Sequence, residues 1–276
     1  AACSMNSEKT ADAAPSITFT RDNMPRLDGS TSTVPLALAV CAEVLGESRE
    51  EVQDLVRFNK TTTAYFNLLE GNADLLIVGE ANDEVMARKK ELNFEWEKQP
   101  FATDAFVFVV NEDNPVDSIT VEQARDIYSG KITNWKEVGG PDMRIVVYSR
   151  ETSSGTYEFF KESVLRHRNY MASILSMPAT GAVIQSVSQT PGAIGYVGLA
   201  YLGKKNIKPV SISYDGGKNY VAPNFENSKN RTYPVVRPLY FYYDQANEKR
   251  IKPYLDYLLS DQGQRMVAET GFIPVK

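Results

Sequence analysis

Arg150 stands six residues before Thr156 in the run Arg150-Glu151-Thr152-Ser153-Ser154-Gly155-Thr156. A guanidinium can hold two oxygens of a tetrahedral anion at once. Ser and Thr hydroxyls add neutral donors, and glycine lets backbone N–H groups approach closely. Two other segments share this composition, Gly29-Ser30-Thr31-Ser32-Thr33 and Thr61-Thr62-Thr63. Each alone reads as the ordinary cap of an ordinary helix. Arg150 alone reads as a surface partner of Glu151. Three such segments together with Arg150 point instead to an oxyanion held by unpaired backbone donors and helix dipoles.

The surrounding sequence must place those loops. Ile17-Thr18-Phe19-Thr20 alternates like a short strand, and Pro35 with an Ala/Leu-rich run to Leu45 follows the first loop as a helix. Ala64 to Leu69 reads as a helix closed by Gly71, and Asp74 to Val78 as a buried strand. Phe106 to Val110 is a second apolar strand, Ser118 to Tyr128 a helix, and Arg144 to Tyr148 a strand running directly into Arg150. Tyr157 to Arg168 reads as a helix, Thr190 to Val197 as a turn into a strand, and Asn219 to Arg231 as loop. Tyr233 to Tyr243 is strand-like, and Arg250 to Glu269 is one amphipathic helix. Strand, loop and helix in repeated order predict an α/β fold, with the loops at the carboxyl ends of strands where ligands bind.

Bulk composition narrows the function. The 276 residues are 42% hydrophobic and 24% charged, so a packed core is expected. A net charge of −5 argues against nucleic-acid binding. No apolar run reaches membrane-spanning length. His167, in Arg166-His167-Arg168, is the single histidine, so neither a histidine-rich metal site nor a Ser-His-Asp triad is expected. The phosphate loop of nucleotide-binding enzymes is absent as well. The chain is expected to be no enzyme and to need no cofactor or metal.

The series of motifs resembles the phosphate-binding proteins of high-affinity bacterial phosphate ABC transporters. The likeness rests on Arg150 to Thr156, on Asp28-Gly29-Ser30-Thr31-Ser32-Thr33-Val34-Pro35-Leu36, and on Ile127-Tyr128-Ser129-Gly130-Lys131-Ile132-Thr133-Asn134-Trp135. Pro191-Gly192-Ala193-Ile194-Gly195-Tyr196 and Gly271-Phe272-Ile273-Pro274 extend it over roughly residues 17 to 276. The resemblance implies a two-lobed type II periplasmic-binding-protein fold, each lobe a mixed, mainly parallel sheet flanked by helices. Residues 17–108 with 233–276 would form one lobe and 109–232 the other. The anion would lie between Thr31, Ser32, Thr61 and Thr62 on one side and Arg150, Ser154, Gly155 and Thr156 on the other. An ABC transporter permease is the implied partner, and a monomer is expected. Sulfate or molybdate is the alternative cargo, and an adhesion or signalling module the alternative use of the fold.

One position departs from the family pattern. Its best-known members carry an aspartate after the strand matching Asp74 to Val78, which accepts a hydrogen bond from protonated phosphate and so rejects sulfate. Here Gly79 stands there, and Glu80 or Asp28 is left as the acceptor. Ala1-Ala2-Cys3-Ser4 resembles the end of a bacterial lipoprotein signal, with Cys3 as the lipidated residue and residues 1–16 as a flexible tether. That implies an extracytoplasmic, membrane-anchored or periplasmic protein. A disulfide between Cys3 and Cys41 and two plain thiols are the other readings, with Cys41 most simply a core residue.

Overall fold

The strand–loop–helix order begins at Leu27 in the computed structural model, which describes residues 18–203 and 206–276. β1 (Leu27–Gly29) turns through Thr31–Thr33 into α1 (Val34–Leu45), and α2 (Thr61–Leu69) precedes β2 (Leu75–Val78). α3 (Asp83–Glu91) leads to the long β3 (Trp96–Asn111). The middle of the chain forms β4 (Ser118–Thr120), α4 (Val121–Ser129), β5 (Val146–Arg150), α5 (Gly155–Ser163) and β6 (Leu175–Met177). It continues through α6 (Thr180–Gln189), β7 (Ala193–Gly198), β8 (Ile207–Pro209), β9 (Ser211–Ser213) and α7 (Phe225–Lys229). β10 (Val236–Asp244), α8 (Glu248–Leu259), α9 (Asp261–Glu269) and β11 (Ile273–Pro274) close the chain.

The strands form a mixed sheet in the order β1-β2-β10-β3-β7-β5-β6. The strands that carry donor loops pair in parallel, β1 with β2 and β5 with both β6 and β7. β3 and β10 lie between these two groups and pair antiparallel with each other and with their neighbours.

Two of the three buried apolar clusters flank this junction. Leu36, Val40, Leu75, Ile77, Phe101, Phe241, Tyr254 and Phe272 belong to the first, built from both ends of the chain. Phe106, Phe108, Val110, Ile127, Tyr128, Trp135, Phe160 and Tyr196 belong to the second, built from the middle. β3 supplies residues to both, Phe101 and Ala102 to one and Ala105 to Val110 to the other. Its apolar residues are therefore continuous rather than alternating, as in any strand covered on both faces. Each buried Phe adds about 1.5–3 kcal/mol by leaving water.

Local chemistry sets the boundaries. Thr120 and Gln123 form a capping box at the start of α4, and Gly130 ends the helix at φ 87°. Ser118–Thr120, read from sequence as the start of that helix, is instead a strand pairing with Ser211–Ser213. The expected single C-terminal helix is two, because the Ser260 side chain accepts from Gly263 N–H and starts α9 afresh. Helix α5 stops at Ser163, with Arg166 and His167 in left-handed conformations, short of the expected Arg168. Thr18–Thr20 is not strand, and a short helix, α7, lies within the expected loop Asn219–Arg231. Ile17, Cys3 and the expected tether 1–16 lie outside the described residues. Cys41 is a free, buried thiol, and burial pushes its pKa up to about 11.

Candidate anion-binding site

The first donor loop is fixed from below by Asp28. Its carboxylate accepts from Gly29 N–H and Asn59 N–H, and from the Asn59 and Asn67 side-chain amides, at 2.8–3.0 Å. Those four donors engage Asp28 fully, so it serves the scaffold. A side chain at Gly29 would lie 2.3 Å from the Ile77 carbonyl, which explains the glycine. Ser30 caps the turn, its hydroxyl accepting from Ser32 N–H and lying 2.8 Å from Ser32 Oγ. Thr33 Oγ1 donates to the Ser30 and Ile77 carbonyls. Thr31 Oγ1 is buried without a hydrogen-bond partner among the described residues.

The second donor segment opens α2, entered through Lys60 at φ 71°. Thr62 Oγ1 accepts from the Asn82 amide at 3.1 Å. Thr61 Oγ1 is again buried and unpartnered.

The third lies at the end of β5. Arg150 is 2% exposed and makes no ion pair within 4 Å among the described residues. Its guanidinium donates at 3.2–3.4 Å to the Met177 and Pro178 carbonyls and to Thr180 Oγ1. Burial lowers its pKa, a pressure that an oxyanion would relieve. Glu151 pairs with Lys60 rather than with Arg150. Ser154 caps α5 by accepting from Thr156 N–H at 3.2 Å, and Thr156 Oγ1 is buried without a partner.

The fold brings these loops together. A Cβ built on Gly155 would stand 2.8 Å from Thr61 Oγ1. Thr62 N–H donates to the Ser153 carbonyl at 3.1 Å, and the Tyr201 hydroxyl donates to the Thr31 carbonyl. Ser32, Thr61, Thr62, Arg150, Ser154 and Thr156 are all buried, with Thr31 and Gly155 half-buried among them. Glu80 does not join them. Its side chain is 59% exposed and both oxygens accept from Lys98 Nζ at 2.9 Å.

Two charged residues at this junction escaped sequence reasoning. Arg237 opens β10 and is 2% exposed, donating from Nη2 to Ser32 Oγ at 2.8 Å. Asp104, on β3, is fully buried with Oδ2 3.6 Å from Arg237 Nη2. Burial pushes the Asp104 carboxyl up to about 6, against the opposing pull of Arg237. Each is the one charge in a locally apolar stretch of its strand, Phe101 to Val110 for Asp104 and Val236 to Tyr243 for Arg237, and that was the available signal. The adjoining pocket is lined by Gly155 and Arg237 together with four carboxylates, Glu80, Asp83, Glu158 and Glu162.

Chemically the arrangement offers donors and cations. Among the described residues, no group of three or more His, Cys, Asp or Glu side chains is placed to hold a metal ion.

A family model described as the PBP superfamily domain matches residues 20–262. The chain belongs to the PBP superfamily. It is 30% identical over 233 residues to the phosphate-binding protein PstS of Pseudomonas aeruginosa, covering 78% of this chain and 72% of that protein. It is 30% identical over 253 residues to PstS of Bacillus subtilis, covering 90% and 80%. A crystal structure from Clostridium perfringens, described as a phosphate ABC transporter substrate-binding protein with bound phosphate, superposes with a TM-score of 0.75. That pair is 30% identical, with 91% of this chain and 98% of the other covered. The mixed α/β architecture is that of this superfamily's type II members, and the chain is PstS-like.

Proposed function

We propose that this PBP-superfamily protein captures inorganic phosphate outside the cytoplasm and delivers it, chemically unchanged, to the permease of an ABC transporter. One observation carries the reading. Thr31, Thr61 and Thr156 carry three buried hydroxyls without hydrogen-bond partners among the described residues, each at the start of a helical turn, and Thr156 shares its loop with the buried Arg150. A buried polar group left unsatisfied costs about 1–3 kcal/mol, so three in one place argue for an oxyanion that satisfies them together. The names of the relatives supply the word phosphate.

The ligand set in this reading is Thr31, Ser32, Thr61, Thr62, Arg150, Ser154, Gly155 and Thr156. Residues 17–108 with 233–276, and residues 109–232, act as two lobes that close over the anion, and binding favours the closed arrangement. The protein works as a monomer held at the outer face of the membrane through a lipid on Cys3. Glu80 is left out of the set, because Lys98 already engages its carboxylate.

Thermal unfolding with and without ligand tests the reading. At one hundred times Kd, phosphate should stabilise the protein by about 2.7 kcal/mol. For a chain of this size that raises Tm by about 5–10 °C. A Tm unmoved by phosphate, arsenate, sulfate or molybdate would overturn it. A shift with sulfate or molybdate alone would favour the alternative cargo.

A further inference from the structure

We propose that Arg237 is a second guanidinium of the anion site, contributed by the first core, and that Asp104 is its positioning residue and countercharge. This rests on the oxyanion reading above and extends it.

The geometry of Arg237 is that of a donor aimed at a ligand. Its Nη2 reaches Ser32 in the first donor loop. Its Nη1 lies 3.3 Å from where a Gly155 Cβ would stand, in the third donor loop, and 3.1 Å from the same point on Gly79. The fork thus bridges the two sides of the junction. Gly79 leaves the space it occupies, at the position where the family pattern places an acidic residue. A guanidinium carries five N–H donors. Among the described residues, one hydrogen bond, to Ser32, uses them, and Nε is buried without a partner.

The pairing with Asp104 is not that of a structural salt bridge. Such pairs close to about 2.7–2.9 Å, often with two parallel hydrogen bonds. Here the separation is 3.6 Å, and both Asp104 oxygens are buried without a hydrogen bond. The N–H groups of Ala105 and Leu199 approach the carboxylate without closing one. Tyr201 faces it from the turn after β7, and Arg237 faces it from β10. The Arg237 guanidinium also lies over the Phe106 ring, 4.9 Å from its centre. A full buried charge with most donors unused is expensive unless something else completes it. With Arg150, the site then presents two cations and one carboxylate, so a dianion meets a matching net charge only when Asp104 is offset.

Isothermal titration with inorganic phosphate tests this. Arg237→Met should weaken binding about 10- to 100-fold, the worth of one charged hydrogen bond or more. Arg237→Lys keeps a cation beside Asp104 but loses the fork, and should also weaken binding about tenfold. It covers the case in which the Met variant fails to fold. Asp104→Asn should bind phosphate several-fold more tightly than wild type at pH 8, with the ratio approaching one at pH 5, where wild-type Asp104 is itself protonated. Affinities within twofold of wild type in a folded Arg237→Met or Arg237→Lys variant would overturn the proposal, as would an Asp104→Asn ratio independent of pH. Wild type that binds phosphate alongside such variants fails this proposal alone; wild type that binds no oxyanion fails the reading beneath it.

Discussion

A methyl group on Gly155 would stand 2.8 Å from Thr61 Oγ1 and 3.3 Å from Arg237 Nη1. Two side chains converge on one point, and the smallest residue keeps that point open. Gly155→Ala should therefore weaken phosphate binding at least tenfold while shifting the Tm of the ligand-free protein by only a few degrees; titration and unfolding of the same sample check both. Arg150→Ala should abolish measurable binding by titration, since it removes the buried guanidinium at the end of β5. Arg150 was legible in the sequence because it follows a strand and precedes a hydroxyl-rich loop. Arg237 and Asp104 were not, because a single charge in an apolar run says nothing about the strand that will lie opposite it. Glu80 was read as a site residue for its nearness to Gly79. Just past the end of β2, Gly79 faces Arg237 while Glu80 turns outward to Lys98.

Helix starts do most of the positioning. Ser30 and Ser154 use their side chains to cap and leave the neighbouring Thr31 and Thr156 free to donate. The capping box of α4 has the same chemistry away from the anion site. Thr120→Ala should cost about 1 kcal/mol in urea unfolding and leave phosphate affinity unchanged, which separates a cap from a ligand group. The donor-rich loops were legible as strand-to-helix turns because Gly, Ser, Thr and Pro punctuate them. The break at Ser260 was missed because the apolar stripe of α8 and α9 continues across it. Only the capping side chain marks the interruption. The long β3 was read as five residues because its polar start, Trp96 to Pro100, is half-exposed and lacks strand-like alternation.

At the scale of the molecule, two buried carboxylates respond to acid in opposite directions. Burial raises the Asp74 carboxyl, but hydrogen bonds from Arg26 and the charges of Arg250 and Arg26 outweigh it and hold the pKa below the usual value. Its contribution to stability is present above the unfolded value near 4 and is lost as pH falls through the lower folded value. Asp104 holds a proton up to about pH 6 when folded and only to about 4 when unfolded. It therefore adds stability as pH falls from 6 toward 4 and withdraws it as pH rises through 6. Tm measured from pH 4 to 8 should show Asp104→Asn gaining on wild type above pH 6 and losing that advantage by pH 4. Contacts between the loops already join the two sides of the junction, from Thr62 to Ser153, Lys60 to Glu151 and Tyr201 to Thr31.

The four carboxylates beside Gly155 and Arg237 act on arrival rather than on holding. Lys98 offsets Glu80, but Asp83, Glu158 and Glu162 leave the approach negative, and the whole chain carries −5. An incoming anion is slowed by that field, and dissolved salt screens it over about 8 Å at physiological ionic strength. Association should then speed up as salt is added, the reverse of electrostatic steering. Stopped-flow fluorescence at 10 and 150 mM NaCl would show it as a rising on-rate beside a much less affected off-rate. A catcher of anions built this way relies on dense short-range donors and on collisions at the ionic strength in which it works.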